Sequence, residues 1–166
     1  MELGIIGLGK MGGNMLRKLV ASGHQIYGYD LNPEYVKSAV TVGGKAADSL
    51  MDLIYKLHKP RNIWVMLPHG EPTNSTIEKV LEMSVKGDLI IDGGNSHYLD
   101  TIQNALKCEA KGVRFADCGV SGGIWGLQSG YNLMIGGNLD DFNRMEPIYK
   151  SLAPAYGYSY LGKHGA

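Results

Sequence analysis

Two hydrophobic rhythms alternate along this chain. Residues 3–6, 25–29, 62–67, 89–91, 113–116 and 131–135 are short runs rich in aliphatic and aromatic side chains. That is the pattern of strands covered on both faces. Between them, apolar residues recur every three to four positions, as on one face of a helix. Met11, Met15, Leu16, Leu19 and Val20 mark a helix over 10–22, ended by Gly23. Further helices are predicted over 34–42, over 49–57 with Asp48 as the cap, over 73–85 and over 99–110. A last one over 140–152 is interrupted by Pro147. Strand and helix alternate without repeats or low-complexity linkers. This predicts one α/β domain over 1–166, with a doubly wound, mostly parallel sheet.

The first strand runs into Gly7-Leu8-Gly9-Lys10-Met11-Gly12-Gly13, and the second ends on Asp30. Strand, glycine turn, helix, strand and acid form the Rossmann-type dinucleotide-binding fingerprint, with the acid roughly 20 residues after the glycines. Gly7 permits a tight turn, Gly9 lets the backbone approach a pyrophosphate, and Gly12 lets helix and strand pack closely. The helix N-terminus offers free N–H groups and partial positive charge to the phosphates. Asp30 is placed to accept hydrogen bonds from a ribose. It also stands close enough to Asn32-Pro33-Glu34 to serve as a helix cap. Lys10 suits either a phosphate contact or a solvated helix face.

Ligands of such sheets bind beyond the carboxyl ends of the strands. Three segments fall there: Leu67-Pro68-His69-Gly70, Asp92-Gly93-Gly94-Asn95-Ser96 and Val120-Ser121-Gly122-Gly123. They are expected to converge with the fingerprint loop on one crevice. His69 reads as a loop donor rather than an acid–base catalyst. Asn95 is open to a ligand role or to holding its turn, and Ser121 to a ligand role or to bracing a glycine turn.

Composition narrows the function. Sixteen basic and sixteen acidic residues balance, with no basic stripe, so no nucleic-acid partner is expected. No apolar run reaches the roughly 18 residues of a membrane span, and the start lacks the pattern of a signal peptide. Cys108 and Cys118 are too few and too far apart for a metal or redox pair and read as buried reduced thiols in a cytoplasmic protein. His24, His58, His97 and His164 show no metal-ligand spacing, and no metal site is assigned. Glycine, at 24 residues, is about twice its ordinary share, which suits many tight turns and close backbone approaches.

The stretches 7–14, 92–96, 120–123 and 133–137, in order and at consistent spacing, resemble 6-phosphogluconate dehydrogenase. Asp-Gly-Gly-Asn-Ser followed by Val-Ser-Gly-Gly separates that family from relatives such as 3-hydroxyisobutyrate dehydrogenase. The resemblance implies that residues 8–13 line the cofactor pyrophosphate and that Asp30 holds the adenosine ribose. Leu67, Pro68 and His69 would border the cofactor, and Asn95 would lie near the nicotinamide ribose and the substrate. Ser121, Gly122 and Gly123 would bind the sugar-acid phosphate. The implied reaction is oxidative decarboxylation of 6-phosphogluconate to ribulose 5-phosphate by a homo-oligomer.

Two departures from the family pattern matter. NADP-using members carry Asn-Arg-Thr after the second strand, where this chain has Asp30-Leu31-Asn32. A carboxylate there repels a 2′-phosphate, so NAD is expected over NADP. Ile124-Trp125-Gly126-Leu127 resembles the short, NAD-preferring bacterial subgroup. The family's lysine base and glutamate acid also lie on a helical domain beyond the position of Ala166. This chain is therefore expected to be the cofactor-binding domain, inactive alone and with no catalytic residue of its own. Another β-hydroxyacid dehydrogenase and a stand-alone nucleotide-sensing module are the competing readings.

Overall fold

A computed structural model describes all residues, 1–166. Eight strands form one sheet in the order β3-β2-β1-β4-β5-β6-β7-β8. They are β1 (Glu2–Ile6), β2 (Gln25–Tyr29), β3 (Lys45–Ala46), β4 (Asn62–Val65), β5 (Leu89–Asp92), β6 (Arg114–Ser121), β7 (Asn132–Gly137) and β8 (Tyr158–Gly162). The helices are α1 (Lys10–Ala21), α2 (Pro33–Thr41), α3 (Leu50–Lys56), α4 (Glu71–Met83), α5 (Tyr98–Ala110), α6 (Gly126–Ser129) and α7 (Leu139–Leu152).

The period-two geometry of the strands splits the core into two layers. Leu3, Ile5, Trp64 and Ile91 face α1, α2 and α7, burying Met15, Leu16, Leu19, Ile148 and Tyr149 with them. Ile6, Ile63, Val65 and Ile90 face α3, α4 and α5, with Leu53, Ile77, Val80 and Cys108. Central strands buried on both sides read as continuous apolar runs, which is why they stood out in the sequence. Both cysteines are buried and free.

The sheet is mostly parallel, as the sequence predicts; its one antiparallel ladder, between β6 and β7, runs from Ala116 opposite Gly137 to Ser121 opposite Asn132. A parallel return needs a crossover of about a dozen residues or more, longer than the segment joining these strands. Strands β3 and β8 and the short helix α6 were missed. The first is two residues long, β8 is a half-exposed edge, and α6 is a single glycine-flanked turn. Pro147 does not interrupt α7, which continues from Leu139 to Leu152. Burial of Met145, Ile148, Tyr149 and Leu152 on either side outweighs a local cost of about 3 kcal/mol. The cap of α3 is Ser49, whose hydroxyl accepts from Asp52 N–H at 3.0 Å, rather than Asp48.

Candidate functional site

Beyond the carboxyl end of β1, the fingerprint loop is built as its residues require. Gly7 has φ +93°, and a side chain there would collide with the Met66 carbonyl oxygen. A Cβ on Gly12 would overlap the Gly7 carbonyl, so α1 can lie this close to β1 only without one. Gly9 differs: a Cβ there would meet nothing within 4 Å. Its lack of a side chain serves no packing in the protein and leaves space over the start of α1. The helix has no side-chain cap and no acid in its first turn. Its first internal bond runs from Gly13 N–H to the Gly9 carbonyl at 2.8 Å, and no backbone carbonyl takes the N–H groups of Lys10, Met11 or Gly12. Free donors at the positive end of a helix dipole attract an anion. Lys10 and Met11 occupy the first positions of α1, Lys10 exposed.

Asp30 joins this loop to the next strand. Its Oδ2 accepts from Leu8 N–H at 2.7 Å and its Oδ1 from Asn32 N–H at 2.8 Å. The helix-capping role falls to Asn32 instead, whose side chain accepts from Glu34 N–H at 3.0 Å. Leu8 itself is buried against β2, where a Cβ on Gly28 would come within 2.9 Å of its Cδ1. Gly28 was not singled out from the sequence, although a lone glycine within an apolar strand signals such a close approach. A groove of about 600 Å³ opens beside Asp30, walled by Leu31, Pro33, Val36 and Val40.

The strand order brings the other loops to the same edge. β1 lies between β2 and β4, so connections leave it in opposite directions and a crevice opens at this switch point. After β4, Leu67 and Pro68 are pinned by Thr73, whose hydroxyl donates to the Pro68 carbonyl at 2.8 Å. His69 is exposed beside them. After β5, a Cβ on Gly93 would strike the Trp64 indole nitrogen, and one on Gly94 would lie 2.7 Å from the Leu67 carbonyl. The glycine pair therefore lets the β4 and β5 loops touch.

Asn95 follows with φ +53°. Its Oδ1 accepts from Val120 N–H at 2.9 Å and its Nδ2 donates to the Val120 carbonyl at 3.2 Å. The side chain thus clamps the β5 loop to the end of β6, while each amide atom keeps one further site for hydrogen bonding. Ser121, the last residue of β6, is exposed. Gly122 and Gly123 have φ +141° and +50°, and nothing lies within 4 Å of a Cβ on Gly123. The 3₁₀ turn Gly123–Trp125 then leads into α6, and both pack against α1. All four segments thus stand at the carboxyl edge of the central strands.

Three of the other histidines hold structural bonds. His24 meets Ser151 Oγ at 2.8 Å, and His97 caps α5. His164 Nε2 lies 2.9 Å from the Phe115 carbonyl. Two acids behind the loops were not assigned from the sequence. Burial pushes the Asp92 carboxyl above its ordinary range, and likewise Asp117 on the neighbouring strand.

Comparison with known proteins decides the family. The profile described as the NAD binding domain of 6-phosphogluconate dehydrogenase matches residues 2–162. The chain belongs to this family. A Bacillus subtilis (strain 168) protein provisionally named 6-phosphogluconate dehydrogenase is 37% identical over 166 residues, covering 100% of this chain and 56% of that protein. The NAD(+)-dependent, decarboxylating 6-phosphogluconate dehydrogenase of Haloferax volcanii is 34% identical over 167 residues, covering 100% of this chain and 55% of its own length. Among solved structures, 3-hydroxyisobutyrate dehydrogenase of Mycobacterium tuberculosis superposes with TM-score 0.90 at 26% identity, over 99% of this chain and 55% of that one. Plasmodium falciparum 6-phosphogluconate dehydrogenase superposes with TM-score 0.89 at 28% identity, over 99% and 38%. This member of the 6-phosphogluconate dehydrogenase family spans little more than half the length of these two curated relatives. No helix in it is long and apolar enough to cross a membrane.

Proposed function

We propose that this chain is the cofactor-holding part of a 6-phosphogluconate dehydrogenase that uses NAD in preference to NADP. The observation that carries the reading is Asp30 fastened to the fingerprint loop through Leu8 N–H at 2.7 Å. This sets a carboxylate beside the uncapped start of α1, where a ribose would follow a pyrophosphate held by that helix. A carboxylate accepts from the two hydroxyls of an unmodified ribose and repels a 2′-phosphate. The name of the Haloferax relative, NAD(+)-dependent, agrees with this. The Plasmodium structure is of a relative in complex with NADP+.

In this reading the N–H groups of Lys10, Met11 and Gly12 and the cleared space over Gly9 hold the pyrophosphate. Leu67, Pro68 and His69 border the cofactor, and Gly7 and Gly13 shape the loop around it. When bound, the nicotinamide supplies the hydride acceptor for a secondary alcohol. The remaining hydrogen-bonding capacity of Asn95, the Ser121 hydroxyl and the backbone at Gly122 and Gly123 orient the oxygens of a sugar-acid phosphate. These neutral groups position substrate without competing for the proton to be removed. The proton transfers of oxidative decarboxylation need a matched base and acid. We assign these to residues outside this chain, which alone binds cofactor without turnover.

Dissociation constants for NADH and NADPH, measured by fluorescence on the same preparation, test the reading. NADH is expected to bind at least about tenfold tighter, equivalent to about 1.4 kcal/mol; equal or tighter binding of NADPH overturns it. A second reading, a 3-hydroxyisobutyrate-type dehydrogenase, draws support from the TM-score of 0.90 to that enzyme. A substrate screen on a protein that joins this domain to its catalytic partner separates the two.

A further inference from the structure

The crevice wall that follows β4 is held by a single side chain. Residues 67–69 lie between β4 and α4 and take part in no backbone–backbone hydrogen bond. The hydrogen bonds that do reach them all come from Thr73. Its hydroxyl donates to the Pro68 carbonyl at 2.8 Å and stands 3.3 Å from the Leu67 carbonyl. Thr73 is the third residue of α4 and is 0% exposed. A threonine at a helix start ordinarily acts as a cap, its oxygen accepting from helix N–H groups. This hydroxyl does the reverse. It donates back into the preceding loop, while α4 begins at Gly70 without a side-chain cap. It therefore orders the loop and not the helix.

The same oxygen stands where two loops meet. A Cβ on Gly94, in the loop after β5, would lie 2.8 Å from Thr73 Oγ1 and 2.7 Å from the Leu67 carbonyl. On the opposite side, a Cβ on Gly7 would come within 2.8 Å of Leu67 Cδ2. Leu67 is thus gripped twice, by packing on the fingerprint loop and by Thr73 at its carbonyl. Asp92 Oδ1, also near this point, already accepts from Gly94 N–H at 2.9 Å. The ring of Pro68 fixes its φ but leaves ψ, and so the direction of its carbonyl, to be set by Thr73.

We propose that Thr73 is a positioning residue for dinucleotide affinity, its hydroxyl holding Leu67, Pro68 and His69 at the spacing from the fingerprint loop that a bound cofactor needs. The proposal rests on the cofactor reading, in which these three residues border the dinucleotide. Thr73 is buried behind the loop and acts through its carbonyls. A loop without ladder bonds must be ordered when a ligand arrives, at the expense of affinity, and a loop held beforehand escapes that loss. Asp30 is bonded to Leu8 and Asn32 and not to this loop. Thr73 therefore governs how tightly a dinucleotide is held, and Asp30 which one.

Two variants separate the hydroxyl from the packing. Thr73→Val keeps the β-branched shape and deletes the hydroxyl, whereas Thr73→Ser keeps the hydroxyl and deletes a buried methyl. Dissociation constants for NADH and NADPH are measured by fluorescence on the chain and both variants, with urea unfolding of the same preparations. Thr73→Val is expected to weaken both dinucleotides by a common factor of about ten. Thr73→Ser should bind within about twofold of the parent, although loss of the methyl lowers its urea midpoint. Folded Thr73→Val that binds NADH as the parent does overturns the proposal. So does folded Thr73→Ser with clearly weakened NADH binding, whether or not Thr73→Val folds. The parent's own preference reports on the cofactor reading separately. A parent that favours NADPH overturns the NAD preference, while the ratio of Thr73→Val to parent still decides the role of Thr73. A parent that binds neither dinucleotide overturns both.

Discussion

The two ends of the sheet are built from different materials. At the amino ends of the strands, charged side chains tie the chain to itself. The Arg61 guanidinium donates to Asp88 Oδ2 at 2.9 Å and the Arg61 N–H to Asp88 Oδ1 at 2.8 Å, both residues being buried. Arg144 reaches the carbonyls of Gly87 and Pro60, and Glu2 accepts from His58 N–H at 2.7 Å. At the carboxyl ends, glycines and backbone groups dominate. There the N–H groups of Lys10, Met11 and Gly12 are left free, and open space stands over Gly9 and Gly123. One end turns its charged side chains inward onto the chain's own groups. The other keeps donors and space in reserve, as a ligand-binding edge must.

Breaking the tied end should give the largest effect. Asp88→Ala strands the buried Arg61 charge, and a loss of about 3–5 kcal/mol of stability is expected, measured by urea unfolding. NADH affinity of the fraction that remains folded should be unchanged. If the variant instead loses cofactor at full stability, the division between the two ends is wrong.

The open end should respond the opposite way. Gly9→Ala puts a methyl where the protein has nothing but a ligand would stand. NADH affinity is expected to fall at least about tenfold, while stability changes by no more than about 1 kcal/mol. A stability loss comparable to that of Asp88→Ala would show that Gly9 serves packing after all.

The smallest effect concerns Asp92, an acid buried at the open end. Its carboxyl is raised in the folded chain, so its protonated form is the favoured one there. Its stabilising contribution is complete below the unfolded value near 4 and is lost as pH rises through the higher folded value. Asp92→Asn should therefore be modestly more stable than the parent at neutral pH. That advantage should vanish below the ordinary carboxylate range. Parallel denaturant curves at neutral and acid pH check the sign.

The central strands and their helices were legible because burial on both faces writes long apolar runs, as at Ile90 and Ile91. Edges were less so. Tyr158 and Tyr160 form β8 while giving their hydroxyls to Glu146 and the Gly137 carbonyl, a mixed pattern that reads as loop. The candidate loops were visible as glycine motifs, but their mutual contacts were not. Nothing in the sequence says that Asn95 clasps Val120, or that Gly94 makes room for Leu67. The Asp92–Asp117 pair was hidden for the same reason: register across two strands places them together, and residues 92 and 117 are remote along the chain.

The bond between Leu8 N–H and Asp30 has a consequence for evolution and for engineering. The residue that would read the ribose is also a fastener of the loop that would grip the phosphates. Replacing Asp30 to admit a 2′-phosphate alters charge and at the same time unlatches Leu8. A lineage moving between the two dinucleotides must therefore change at least two things: the side chain that discriminates, and whatever takes over holding the loop. On the proposed reading, cofactor preference would be a shared property of two neighbouring segments, and a single exchange would relax selectivity before it could reverse it.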